Sequence, residues 1–274
     1  MNIIPTLILA AVSATTLAAA PKKLLVVTIT TGFRHSSIPT LEKVIAQLGQ
    51  SSGEFSVDYV RQPASNPDAA AWQQALKDEL QKLSPESLKN YDGVVFANTT
   101  GEMPIPDPQG LVDWLKAGHA FIGIHSASDT FHKWPEYAQM LGGEFQGHGP
   151  QVGVECLNQD PHNPANAHLG KSWTIALEEV YEFKNYDPAQ LHDLLILDKH
   201  PQSKAPGHFP VTWCKPFGSG KIFYTSLGHR EDLIDTDPDL KDRKNPIATS
   251  KDYQQHLLGG IEWALGLKKS SPSN

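Results

Sequence analysis

The chain has 274 residues, 39% of them hydrophobic, with a formal net charge of −7 and an isoelectric point near 5.9. That is enough chain for one large domain with its own core. No run of Lys or Arg forms a basic stripe, which argues against nucleic acid as a partner and favours a small neutral ligand. Cys156 and Cys214 are the only cysteines; they can build neither a metal cluster nor a disulfide framework, and fit one bridge or two buried thiols.

Residues 1–20 carry no charged side chain and close in Leu17-Ala-Ala-Ala20 before Pro21-Lys22-Lys23. This reads as a cleavable export signal, with a retained anchor as the alternative. The expectation is a periplasmic or secreted protein with no membrane association after cleavage, a single domain over 21–268 and a disordered tail over 269–274.

Leu24-Leu-Val-Val-Thr-Ile-Thr30 is a continuous β-branched run, as expected of a strand buried on both faces of a parallel sheet. It ends in a loop carrying Arg34 and His35, and Ile38-Pro39 opens a helix to about Leu48. Phe55 to Val60 alternates as a less buried strand, and Asp68 to Leu83 reads as a scaffold helix. Asn90 to Asn98 is the next buried strand, ending in the polar loop Asn98-Thr99-Thr100. A proline-spaced connection then leads to a helix over 109–117 with Leu111, Trp114 and Leu115 on one face.

Ala120-Phe-Ile-Gly-Ile-His125-Ser-Ala-Ser-Asp129 organises the whole, because an apolar strand stops abruptly at ionisable residues. Gly123 and the small residues after His125 permit the sharp strand-to-helix turn of a nucleophile elbow. The helix is expected to continue through Phe131, Trp134 and Tyr137, and the segment 140–150 interrupts the pattern. From 151 to 215 the chain reads as strands: Val152–Leu157, Trp173–Phe183, Leu191–Leu197 and Pro210–Cys214. Gly220 to Gly228 is a last core strand ending at His229 and Arg230, and a helix over 251–267 covers one face. Strands alternating with helices imply a doubly wound α/β sheet with an antiparallel extension.

Three strand ends therefore deliver His35, His125 and His229 to one rim, where ligands of open parallel sheets collect. Neutral imidazoles from separate strands can hold a divalent metal such as zinc, with Asp129 or Glu179 as a carboxylate ligand. The same groups can equally act as acid and base without metal. Arg34 and Arg230 can hold a hydroxyl-rich or anionic ligand or pair with surface acids, and Asn98, Thr99 and Thr100 face the same crevice. No nucleotide cofactor is expected.

These segments resemble the ThuA-like, or trehalose-utilisation, family. The likeness runs over nearly the whole mature chain: the loop ending in His35, Tyr91-Asp-Gly-Val-Val-Phe, Asn98-Thr-Thr-Gly101, Phe121-Ile-Gly-Ile-His125, Asp129-Thr-Phe, Leu141-Gly-Gly, Gly147-His148, Glu179-Val-Tyr181, Pro210-Val-Thr-Trp213 and Phe223-Tyr-Thr-Ser-Leu-Gly-His229. The resemblance implies a flavodoxin-like fold of the class I glutamine amidotransferase type, with helices on both faces of the sheet. His125 stands where an amidotransferase carries its nucleophilic cysteine, which argues against glutamine hydrolysis. Gly207-His208-Phe209-Pro210 departs from the family pattern, which usually has an Asp in this segment. The resemblance further implies work on oxidised disaccharides, the 3-keto-glycosides; because a ketone at C3 acidifies the hydrogen at C2, the chemistry expected at the site is elimination followed by hydration. A metal or a protonated imidazole among His35, His125 and His229 is expected to polarise the ketone, while Glu179 or Asp129 moves the proton, His148 assists the leaving oxygen and Tyr181 contacts substrate. The alternative is a sugar-binding protein of the same fold without turnover.

Overall fold

A computed structural model describes residues 20–270. Residues 1–19 of the expected export signal and the last four residues of the expected tail lie outside them. The first strand, β1 (Lys22–Val27), alternates between two cores: Leu24 and Val26 face one, Leu25 and Val27 the other, all fully buried. Burial on both faces is what an unbroken apolar run requires. Helix α1 (Ile38–Ser52) has Pro39 in its first turn and ends at Gly53, whose φ of 71° lets its N–H turn back to the Gly49 carbonyl. Its Leu41, Val44, Ile45 and Leu48 recur at helical spacing and pack on the face shared by Leu24 and Val26.

After β2 (Phe55–Val60) come α2 (Ala69–Leu80), capped by the Asp68 side chain, and the one-turn α3 (Pro85–Leu88). Strand β3 (Gly93–Ala97), helix α4 (Pro108–Lys116) and strand β4 (Ala120–Ile124) follow. After the elbow at His125 come helix α5 (Pro135–Leu141), β5 (Glu144–His148), β6 (Val152–Asn158), β7 (Ser172–Glu178) and β8 (Tyr181–Lys184). The chain closes with β9 (His192–Lys199), β10 (Pro206–Phe217), β11 (Gly220–Thr225), α6 (Glu231–Ile234) and α7 (Ile247–Ala264). The main sheet has nine strands in the order β2-β1-β3-β4-β11-β10-β9-β6-β7. The pairings from β2 to β11 are parallel and those beyond β11 antiparallel. Helices α1 and α7 cover one face, and α2, α4 and α5 the other. This is the doubly wound α/β sheet with an antiparallel extension that the sequence implies. Among the described residues no helix is long and apolar enough to cross a membrane.

Three local expectations change. The helix expected through residues 131–137 is instead a single 3-10 turn over His125–Asp129, an extended Thr130 and then α5. Phe131 has a φ of 60° and Pro135 opens the new helix, so a continuous α-helix cannot pass. The strand expected over Trp173–Phe183 breaks after Glu178, and β8 leaves the main sheet to pair with β5. That pairing makes the segment 144–148 a strand and sets His148 opposite Tyr181. Strand β10 begins earlier than expected, at Pro206, with bulges along its pairing with β9.

Candidate functional site: a histidine cluster at the mouth of the sheet

His35 follows β1, His125 follows β4 and His229 follows β11, so three parallel strands of the sheet bring imidazoles to its carboxyl edge. Their ring centroids lie 4.8 Å (35 to 125), 5.3 Å (35 to 229) and 5.3 Å (125 to 229) apart, each pair edge to face. Glu179, in the break between β7 and β8, joins them: one ligand atom from each of the four residues lies within 4.8 Å of the others. Glu179 Oε1 is 3.4 Å from His229 Nδ1 and 3.7 Å from His125 Nε2, and Oε2 is 3.4 Å from His148 Nδ1.

Each member is held from behind. His125 has a φ of 48°, the left-handed conformation that an elbow imposes on a non-glycine residue. Its Nδ1 lies 2.7 Å from the Ser226 carbonyl, which can only accept, so Nδ1 carries the proton. In the neutral ring Nε2 is then the acceptor, and the Tyr181 hydroxyl donates to it at 2.9 Å. His35 Nδ1 lies 3.3 Å from the Ser126 hydroxyl. The loop bearing His229 is clamped by Glu178, a fully buried carboxylate that accepts the backbone N–H groups of Gly228 (3.1 Å), His229 (2.7 Å) and Arg230 (3.3 Å). Gly228, at a φ of 126°, has Tyr253 Oη 2.9 Å from where a Cβ would stand, so this turn needs glycine.

Burial and mutual repulsion set the charges. Burial, reinforced by His229, lowers His35 to about 4. Burial and the neighbouring His35 hold His125 well below its ordinary value. For Glu179 burial acts upward, but His229, His148 and His35 together outweigh it and keep the carboxylate below its usual range. His229 is raised, Glu179 prevailing over burial. The site therefore holds two neutral imidazoles, one carboxylate and one imidazole biased toward its charged form.

The other expected residues are placed differently. Tyr181 and His148 reach the cluster from opposite strands of the β5–β8 pair. Asn98 is fully buried and donates to the Ser37 hydroxyl and the Gly228 carbonyl, shaping the rim rather than opening onto it. Thr99 and Thr100, also fully buried, bond to Thr130 and to the Phe33 carbonyl, which makes them clamps between loops, not substrate contacts. Arg34 donates to the Thr28 carbonyl and lines a neighbouring pocket with Gln62 and Trp72. Arg230 forks onto Asp232 (2.8 and 3.1 Å), and with His229, Ser36 and Gln151 it lines a cavity of about 190 Å³. That is below the roughly 300–1,000 Å³ usual for drug-sized ligands, so the cavity suits a small occupant.

Asp129 stands apart from the four convergent residues. Its carboxylate takes His132 Nε2 at 2.7 Å, while His132 Nδ1 meets Glu144 Oε1 at 2.6 Å. A ring with a carboxylate oxygen at each nitrogen carries both protons, so His132 is an imidazolium strap between the elbow and β5. Three participants escaped sequence reading: Glu178, His132 and Phe33. Glu178 looked like a strand residue, and only its adjacency to Glu179 hinted at more. Phe33 is 67% exposed, one of two large exposed hydrophobics among the described residues, and its ring meets His35 at 4.8 Å. Cys156 and Cys214 are both buried free thiols, each pushed up to about 12, chiefly by burial.

The family profile described as "ThuA: Trehalose utilisation" matches residues 23–264. A ThuA-like protein from Parabacteroides merdae superposes with a TM-score of 0.67 at 21% identity, over 92% of this chain and 93% of that one. One from Bacteroides uniformis gives 0.59 at 18% identity, over 92% and 95%. A β-galactosidase from Bacillus circulans sp. alkalophilus gives 0.53 at 10% identity, over 89% of this chain and 31% of that one. At these identities the likenesses establish the fold. No curated protein matches the chain. With the family profile spanning nearly all of the described residues, the chain belongs to the ThuA, trehalose-utilisation family, a carbohydrate-related family with an amidotransferase-like α/β fold.

Proposed function

We propose that the chain is a carbohydrate-processing enzyme that cleaves 3-keto-glycosides by elimination and hydration at the histidine cluster. One observation carries the reading: a single ionised carboxylate, Glu179, faces three imidazoles within 3.7 Å at the mouth of the sheet. This pairs a base with donors suited to an enolate. A ketone at C3 acidifies the C2 hydrogen of a glycoside. Glu179 accepts that proton, and the electron pair moves into the C2–C3 bond to give an enolate. A donor at the His229 side of the cluster stabilises the enolate oxygen. Collapse of the enolate breaks the C1–O bond, and the departing oxygen takes a proton from His148, which lies on the exposed side of Glu179. Water then adds to C1 and a proton returns to C2, releasing 3-keto-glucose. Asp129, committed to His132, is left out of this scheme.

Elbow geometry supports the assignment of His125 as an anchor rather than a nucleophile, since its Nε2 already accepts the Tyr181 hydroxyl. The test is to incubate purified protein with 3-keto-trehalose or a 3-keto-glucoside and follow free 3-keto-glucose. Release that disappears in Glu179→Gln while circular dichroism is unchanged supports the enzyme. Saturable binding without product makes the protein a sugar-binding module and removes the proposal.

A further inference from the structure

We propose that His35, His125, His229 and Glu179 form a binding site for one divalent cation of the zinc class. The inference would supply the electrophile of the reading above, with Glu179 Oε1 toward the cation and Oε2, on the His148 side, left to take the proton, yet it does not depend on the substrate named there. It stands on the arrangement of donor atoms. A tetrahedral cation about 2.0–2.1 Å from each ligand needs its ligands about 3.3 Å apart. His229 Nδ1 and His125 Nε2 already stand 3.4 and 3.7 Å from Glu179 Oε1, and one ligand atom from each of the four residues lies within 4.8 Å of the others.

Two further features point to a ligand. His229 Nδ1 is buried and makes no hydrogen bond: it lies near Glu179 but out of line with it. A buried nitrogen without a partner asks for one. The ring orientations are also those of metal ligands, whose second nitrogen is tied to a carbonyl or polar group. His125 Nδ1–H is fixed on the Ser226 carbonyl, leaving Nε2 with its lone pair toward the cluster, and His35 Nδ1 sits by Ser126 Oγ. Glu178 in turn fixes the backbone of His229.

The donor set decides the class of ion. Three imidazole nitrogens and one carboxylate oxygen suit zinc, cobalt, nickel or ferrous iron, whereas magnesium and calcium take shells of oxygen. Binding asks His125 Nε2 to exchange the Tyr181 hydroxyl for the cation.

The experiment uses untagged full chain, loaded with Zn²⁺ or Co²⁺ after chelator treatment and desalting. The expected result is one retained equivalent by elemental analysis, a higher melting temperature on loading, and the intense visible absorption of tetrahedral Co²⁺. His125→Ala and His229→Ala should each lose the retained metal and the absorption. His192→Ala, whose exposed ring pairs with Asp160 far along the chain, should keep both. Wild-type protein that retains no metal and shows no melting shift with either ion overturns the proposal, as does retention undiminished in both cluster variants. Metal retained without turnover of keto-sugars would sink the proposed reaction and leave this site standing.

Discussion

Glu178 is the residue whose removal says most about how the cluster is built. Its carboxylate accepts the N–H groups of Gly228, which is buried, and of His229 and Arg230, which are half-buried. Glu178→Ala strands three donors, each costing about 1–3 kcal/mol when unpaired, and water entering the vacated space recovers part of that. A net loss of about 3–5 kcal/mol follows, which for a domain of this size lowers the melting temperature by about 10 °C. Glu178→Gln keeps one acceptor oxygen for Gly228 and His229 and strands only the Arg230 donor, a cost of about 1–3 kcal/mol. The two variants also differ in pH response. Burial raises Glu178 from 4.5 to about 7, so the folded chain holds a proton that the unfolded chain has released. The stability from that proton is complete below the unfolded value and is lost as pH rises through the folded one. Denaturant unfolding near pH 5 and near pH 8 should therefore show wild type losing ground to Glu178→Gln at the higher pH. If Glu178→Ala costs less than about 1 kcal/mol, or if the Ala and Gln variants unfold alike, the clamp does not hold the His229 turn and this reasoning fails.

Tyr181→Phe removes the hydroxyl that serves His125 Nε2 without changing the packing of the ring; turnover of a 3-keto-glucoside should fall at least tenfold, about 1.4 kcal/mol, with the fold intact by circular dichroism. Unchanged kinetics would free Tyr181 of any role. Phe33→Ala should leave the melting temperature within the range of surface changes, about 0.5 kcal/mol, while raising KM, because the exposed ring beside His35 offers a face to a sugar; a fall in stability with KM unchanged would mark it as packing. Gly228→Ala places a Cβ 2.9 Å from Tyr253 Oη at a φ of 126°, so a loss of about 1–3 kcal/mol and a displaced His229 are expected, and a variant as stable and active as wild type would contradict the strained turn. His132, raised because Asp129 and Glu144 together outweigh burial, supports folding fully below the ordinary imidazole range and loses that support as pH rises through its elevated value. Its ring protons followed by NMR should titrate late, and an ordinary midpoint would dissolve the strap.

Much of this architecture was legible because the chain uses plain devices. Leu24 to Val27 and Ala120 to Ile124 are unbroken apolar runs, so their burial on both faces and the abrupt arrival of His125 follow from pattern alone. The convergence of His35, His125 and His229 follows once β1, β4 and β11 run parallel in one sheet with only β3 between β1 and β4. What stayed hidden depends on long-range bonds with no local periodicity. The break after Glu178 is made by three backbone donors some fifty residues away, and the β5–β8 pair is short, with a register shift. Thr99 and Thr100 occupy the sequence position of a substrate loop, but bonds to Thr130 and Phe33 turn them inward. Asp129 fell away for a similar reason, since His132, three residues on, claims its carboxylate first.

The central claim is that Glu179 and its imidazole neighbours remove a proton from the carbon beside a ketone. Turnover of 3-keto-trehalose in D₂O, read by NMR against an enzyme-free control, tests it most directly. The account predicts 3-keto-glucose carrying deuterium at C2 from wild type and neither product nor exchange from Glu179→Gln; enzymatic product that keeps its original hydrogen at C2 would contradict it.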